Sequence, residues 1–398
     1  MSRISLDRGE LEEFLTAKTA EVAAEPDYVW PGGFKSYRTD EEGRPLVRIG
    51  LANFSPDLDI WADLRNPAQV GCFPLAPADI WSHYAANNVQ RTRPDGSPFP
   101  LAMPETFDQA RQRFRRVVLI SGMLAVNPMI HQSYFSKIEE GDPDPYDYYA
   151  RATTEVAGII DKAVAKLALA LMEEDRAVVP MTTKGANLVI ERTRSEYQKD
   201  RFHGPCNNNW PQNSVAVMTG LLRFGLNRLP FRDETGSDGR TDRLFGRYRS
   251  IVIFDGAEPR ADESAGLRLL DPEELGNLFR TNDYTRVDQA AVAARYCTYN
   301  LTRNGGQSVC GRCLEVCPSQ ALPNSSPTPD GAYPSKVKNQ GHRFWDEALD
   351  FDYQNCTSDR FQKAQIYEDY VCARCETVCA VQGIRKSEKE IRAINEVG

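Results

Sequence analysis

The 398 residues are 41% apolar and 26% charged, with a net charge of −8, the balance of a folded chain long enough for two or three domains. That acidity argues against a nucleic-acid partner gripped through its phosphates. The longest apolar run, Val117 to Val126, is far shorter than the roughly 20 residues a membrane-spanning helix needs.

The opening residues, MSRISLDRGELEEFL, carry acids where a signal peptide would need an apolar core, so a cytoplasmic protein with reduced thiols is expected. A helix is predicted over Leu6 to Ala24. Proline- and aromatic-rich segments follow, holding Trp30, Phe34, Tyr37, Trp61, Trp81 and Tyr84. Such aromatics suit the packing of an irregular core, and walling a planar ligand is the alternative. Residues 1–114 therefore read as a loosely patterned cap, in which Cys72 is a small buried hydrophobe rather than a ligand.

A patterned core begins at Arg116. The run RVVLISGMLAV (Arg116 to Val126) is apolar throughout, as a central strand buried on both faces is. The pair Arg115-Arg116 before it reads as the start of that strand rather than as a targeting signal. Tyr146 to Glu173 follows as a helix, with Val156, Ile159, Ile160, Ala163, Leu167 and Leu171 on one face. Ala177 to Met181 makes a short strand, Val215 to Leu222 a buried helix and Ser250 to Asp255 another buried strand. Alternating strands and helices predict a layered α/β fold. A polar helix over Leu270 to Ala294 leads into the cysteine-rich end.

Eight of the ten cysteines fall between Cys297 and Cys379, in two copies of one pattern. Cys310, Cys313 and Cys317 are spaced C-x2-C-x3-C before Pro318; Cys372, Cys375 and Cys379 repeat that spacing before Ala380. Each triplet has a fourth cysteine upstream, Cys297 and Cys356. Two thiolates separated by two residues can bind one metal centre from a single tight turn. A disulfide framework is disfavoured in a reducing compartment, and the C-x3-C-P step is not a zinc spacing, although paired zinc sites are the alternative. The layout is similar to that of a two-cluster ferredoxin, in which the last cysteine of each run ligates the other cluster. Carried over, Cys297, Cys310, Cys313 and Cys379 would hold one 4Fe-4S cluster, and Cys356, Cys372, Cys375 and Cys317 the second. Twelve residues separate Cys297 from Cys310, where two are usual. That longer loop adds only roughly 1.6 kcal/mol of closure entropy.

A wider resemblance emerges from VAVMTGLLRFGLNRLPF, a loop punctuated by Gly236, Gly239 and Gly246, then RYRSIVIFD and the block ending CGRCLEVCPSQAL. Over residues 115–398 this order resembles the reductive dehalogenase and epoxyqueuosine reductase superfamily, and HRFWDEALDFDYQNC is similar to the dehalogenase branch. The resemblance implies a nitroreductase-like, corrinoid-binding α+β domain over residues 115–290 and a ferredoxin-like domain with two 4Fe-4S clusters over residues 291–398. It implies cobalamin as a further cofactor and an external low-potential electron donor, a ferredoxin, flavodoxin or reductase, as partner. Family members carry a turn of the type AGLGxxGK or AGLGxxxR; here Leu222 replaces the second glycine and Leu226 the basic residue, with Arg223 and Arg228 nearby. Dehalogenases place a proton-donating tyrosine near the start of the long helix, and DYYARATTE offers Tyr148 and Tyr149. Epoxyqueuosine reductases place an aspartate where this chain has Thr154.

The expected assignments are thus Tyr149 as proton donor and Arg228 as the cation holding an anionic substrate group, with Gly220 and Asn227 against the corrinoid. Asn207, Asn208 and Asn209, in HGPCNNNWPQN, either bind the corrinoid's polar rim or form a polar turn. His83, His131, His203 and His342 are too scattered for a metal site. The expected function is reductive dehalogenation of a small aromatic or phenolic organohalide. Deoxygenation of the epoxyqueuosine type and a non-catalytic electron carrier are the alternatives.

Overall fold

A computed structural model describes residues 4, 6–25, 35–54, 107–140, 146–172, 176–181, 212, 215–216, 219–224, 230–235, 240–256, 268–269, 374–382 and 386–387. Its elements in chain order are α1 (Arg8–Ala23), β1 (Val47–Phe54), α2 (Phe107–Ala110), a 3-10 turn (Arg111–Arg113), β2 (Arg116–Ala125), α3 (Pro128–Glu139), α4 (Tyr146–Leu171), β3 (Arg176–Met181), β4 (Arg223–Phe224), β5 (Pro230–Thr235), β6 (Arg240–Leu244), β7 (Gly246–Asp255), β8 (Arg268–Leu269), α5 (Arg374–Gln382) and β9 (Lys386–Ser387). Among the described residues no helix is long and apolar enough to cross a membrane. The helix expected over Leu270 to Ala294 lies outside the described residues.

Helices and strands mix in layers. One sheet has the order β3-β7-β2-β1-β8, and a smaller one the order β4-β5-β6-β9. Every pair of neighbours is antiparallel except β1 with β8. β2 sits at the centre because its ten residues are all buried, and it pairs along its whole length with β7. Its side chains alternate between two hydrophobic layers, as period-2 geometry requires. Val118, Ile120 and Leu124 join α1 and α4 in one core cluster, while Met123 and Ala125 face a second with Leu46, Ala216, Leu221 and Leu244.

α4 covers the first face as its spacing predicts: Val156, Ile159, Ile160, Ala163, Leu167 and Leu171 are all fully buried. α1 packs beside it through Leu11, Leu15 and Val22. Its start is fixed by Asp7, whose carboxylate accepts the Glu10 amide N–H at 3.0 Å. Farther along, the Glu12 carboxylate accepts the Ile49 amide N–H at 3.0 Å and faces the Arg48 guanidinium at 3.5 Å, so α1 is tied to β1 as well. β1 thus shares one sheet with β2, and α1 and β1 share one core with it.

The helix expected over Val215 to Leu222 ends sooner. The amides of Leu221 and Leu222 both donate to the Ala216 carbonyl, at 3.0 and 3.1 Å, and Gly220 has φ +70°. This is a left-handed glycine cap, which a residue with a Cβ adopts only under strain. The capped turn seats on β1 at Gly50, where a Cβ would stand 2.6 Å from Thr219 Oγ1 and 2.7 Å from both the Thr219 carbonyl oxygen and Leu221 Cβ. At Gly122 of β2 a Cβ would meet Leu15 Cδ2 at 2.5 Å, the end of a side chain that can rotate. Gly50→Ala should therefore destabilise by about 1–3 kcal/mol and Gly122→Ala by less, measured by urea unfolding. Equal losses at the two sites would contradict the close backbone approach at Gly50.

Candidate active site

α4, β7 and α5 converge on a polar cluster beneath the apolar core. Tyr149, in the second turn of α4, is fully buried. Its hydroxyl donates to Glu376 Oε1 at 2.5 Å and accepts from Arg247 Nη2 at 3.3 Å. Arg247 Nη1 also donates to Glu376 Oε1, at 3.3 Å, closing a triangle of phenol, carboxylate and guanidinium. The Glu376 side chain is 9% exposed and that of Arg247 21%, so the charges face each other largely away from water.

The folding logic is local at each corner. Tyr149 precedes by seven residues the apolar stripe that begins at Val156, which places it on the inward face of α4. Arg247 and Arg249 alternate with Tyr248 and Ser250 on β7, so both arginines share the face of Ile251 and Ile253, which belong to the core cluster with α4. Arg249 ion-pairs with Asp161 of α4, and Arg247 reaches Tyr149. Glu376 is carried by α5, whose sequence RCETVCAVQ holds Cys375 and Cys379.

The electrostatics keep a proton on Tyr149. Burial, reinforced by the Glu376 carboxylate, raises its pKa well above the ordinary value of 10.0, while Arg247 pulls the other way and does not prevail. Its ring lies 4.9 Å from that of Tyr134 and 5.6 Å from that of His131. His131 is held neutral, its pKa pushed down to about 4 by burial, with Glu376 opposing that shift and Arg247 adding to it.

A second charged group lies beside the first, on β6. Arg243 donates from Nη1 to Cys379 Sγ at 3.5 Å and from Nε to Asp233 Oδ1 at 2.9 Å, and its guanidinium stacks 3.9 Å from the centre of the Phe231 ring. Burial alone would lower its pKa, but Cys379 and Asp233 outweigh that and raise it. A buried guanidinium against a sulfur favours the thiolate, the form in which cysteine ligates a metal. Cys375 and Cys379 are partly buried. Cys379 is thus set to ligate as a thiolate, and the cysteines expected to share its cluster, Cys297, Cys310 and Cys313, lie outside the described residues.

Of the expected site residues, the structure describes Tyr149, Gly220, Cys375 and Cys379. Tyr149 and Cys379 are brought to neighbouring clusters that share α5. Gly220 is exposed, and its left-handed conformation is the helix cap described above. Arg228, Asn207, Asn208, Asn209 and Asn227 lie outside the described residues, as do Cys297, Cys310, Cys313, Cys317, Cys356 and Cys372.

Arg247 and Glu376 escaped the sequence reading, and His131 was read only as one of four histidines too scattered for a metal site. For Arg247 the signal was present: the alternation of Ile251 and Ile253 extends back to Arg249 and Arg247, but charge at those positions reads as the end of a strand. Glu376 sits within a metal-ligand motif that draws attention to its cysteines alone. No protein-family model, curated protein or solved structure matches the chain.

Proposed function

We propose that the chain is a cobalamin- and iron–sulfur-dependent reductase that cleaves the carbon–halogen bond of a small aromatic or phenolic organohalide, with Tyr149 as the proton donor. The observation that carries this reading is the buried phenol of Tyr149, protonated and set between the Arg247 guanidinium and Glu376 of the cysteine-bearing helix α5. The eight cysteines would hold the two clusters, and the corrinoid rests on the resemblance of residues 115–398. When bound, these groups supply two low-potential electrons at a reduced metal; with one proton these turn a carbon–halogen bond into a carbon–hydrogen bond and halide.

The residues do the rest. Tyr149 holds the proton through the pH range in which the electrons arrive, because its pKa lies far above neutrality. Giving it up leaves a phenolate, and Arg247, 3.3 Å from the oxygen, is placed to stabilise that charge. Glu376 opposes the phenolate and so returns the site to its protonated state. Tyr134 packs its ring on that of Tyr149 and shields the donor on that side. Arg228 is assigned to the anionic group of the substrate.

The test uses full-length chain purified without oxygen in the presence of cobalamin. We expect about eight irons per chain, bound cobalt, and release of halide from a chlorinated phenol with a reduced viologen as donor. Stoichiometric zinc without iron would end the cluster assignment. Cluster-loaded protein that takes up no corrinoid and releases no halide would end the reductase assignment in favour of an electron carrier.

A further inference from the structure

Among the described residues, His131 is a buried titratable group without a task. It is 3% exposed, and among the described residues neither of its ring nitrogens has a hydrogen-bond partner. Burying an imidazole so is costly unless water meets the nitrogens. Space for water is at hand: His131 lines a cavity of about 60 Å³ with Arg38, Gln132, Asp242, Arg243 and Phe245. At roughly 30 Å³ per water in the liquid, the cavity holds about two. One wall is the ion pair of Arg38 with Asp242, 2.9 Å apart and 29% and 39% exposed, and Gln132 beside it is exposed, so this end of the cavity meets solvent. At the other end the His131 ring lies against Tyr149.

We propose that this cavity is a hydrated proton inlet, in which His131 passes protons from solvent-connected water to the Tyr149 hydroxyl. The charged groups around the ring are Glu376 from α5 and Arg247 from β7, with Arg38, Asp242 and Arg243 around the cavity. A neutral imidazole has a donor on one nitrogen and an acceptor on the other. It therefore relays without holding a charge: a water O–H bond breaks as an N–H bond forms on the free nitrogen. At the same time the N–H bond on the other nitrogen breaks, and its proton goes to the phenolate oxygen of Tyr149. The hydroxide left behind passes its charge through the cavity water to solvent, where a buffer acid supplies the balancing proton, and rotation of the ring restores the first tautomer. The relay needs a turn of the ring, or one intervening water, between the imidazole nitrogen and the hydroxyl, the two rings being centred 5.6 Å apart. The inlet gains its purpose from the reading of Tyr149 as a proton donor, since a phenol buried on every side must be reprotonated before the next turnover.

The test needs no turnover, so its failure is distinct from failure of the reductase assignment. In full-length chain carrying 13C at tyrosine Cζ, the hydroxyl isotope shift in an equal mixture of H2O and D2O reports exchange of the Tyr149 proton, assigned with Tyr149→Phe. The wild-type signal should be a single averaged line. In His131→Phe it should split into two, exchange having slowed at least about tenfold. A merely loosened fold would speed exchange, the opposite sign. An averaged line in His131→Phe, or a split line in the wild type, overturns the proposal. A second measurement needs no substitution: in 15N-histidine-labelled wild type, the His131 N–H must exchange with water at least as fast as the Tyr149 hydroxyl, and a slower one overturns the relay.

Discussion

Tyr149→Phe should lower the turnover of a chlorinated phenol by about 10²- to 10⁴-fold, the range for a lost general acid, with iron and corrinoid content unchanged. The substitution removes one oxygen and little else. The ring keeps its packing on Tyr134 and His131, and Glu376 remains paired with Arg247 at 3.3 Å, so no buried charge is orphaned. Loss of two hydrogen bonds among groups that still have each other should cost on the order of 1 kcal/mol of stability. The fold-change in rate corresponds to roughly 2.7–5.4 kcal/mol of barrier, so chemistry and folding are separable by size. The pH profile adds a check. A donor whose pKa is raised is lost only as pH rises through the raised value, so Tyr149 predicts no decline in rate between neutrality and pH 9. Turnover within threefold of wild type in Tyr149→Phe would remove the tyrosine from the reaction.

How far the sequence reached depends on whether the deciding contacts were local. The apolar run of β2 and the 3.6-residue stripe of α4 are local patterns, and both elements stand within two residues of where the sequence put them. β1 was missed because VRIGLANF lies among proline- and aromatic-rich segments, and only its pairing with β2 makes Val47, Ile49 and Leu51 core residues. The hairpin of β5 and β6 was read as a glycine-punctuated loop, although its charged strands interlock through Arg243 and Asp233. The site shows the same division. Tyr149 was singled out through the family resemblance and its place near the start of a predicted helix, while Arg228, expected to face it, lies outside the described residues. The guanidinium that reaches its hydroxyl is Arg247, 98 residues along the chain, delivered by the register of β7. No local spacing encodes that neighbour. Glu376 is farther still, 227 residues from Tyr149.

The pairing of β2, β3 and β7 that carries Arg247 to the site is fastened at its far end by charge, and breaking that fastening should give the largest loss of stability. Arg116, Asp255 and Arg176 occupy one cross-strand row, each arginine in register with Asp255 from opposite sides. Arg116 donates to Asp255 Oδ2 from Nε at 2.9 Å and from Nη2 at 2.7 Å; Arg176 Nε faces Oδ1 at 3.4 Å. Arg176 also donates to the Ile4 carbonyl at 3.1 Å, which ties the segment before α1 to the same point. The side chains of Asp255 and Arg176 are wholly buried and that of Arg116 is 5% exposed. Asp255→Ala would leave two guanidinium groups facing each other without the carboxylate between them, a change that costs about 3–5 kcal/mol when one partner of a buried pair is removed. At roughly 2–4 °C per kcal/mol, the thermal midpoint should fall by on the order of 10 °C. The penalty lies in removing the negative charge from between two buried cations rather than in the lost packing of the aspartate. Adding Arg116→Met and Arg176→Met to Asp255→Ala should therefore recover most of the loss, because apolar groups of similar volume substitute for a buried ion pair at little cost. A drop below about 1 kcal/mol in Asp255→Ala, or a triple variant no more stable than the single one, would show that this row does not fasten the sheet.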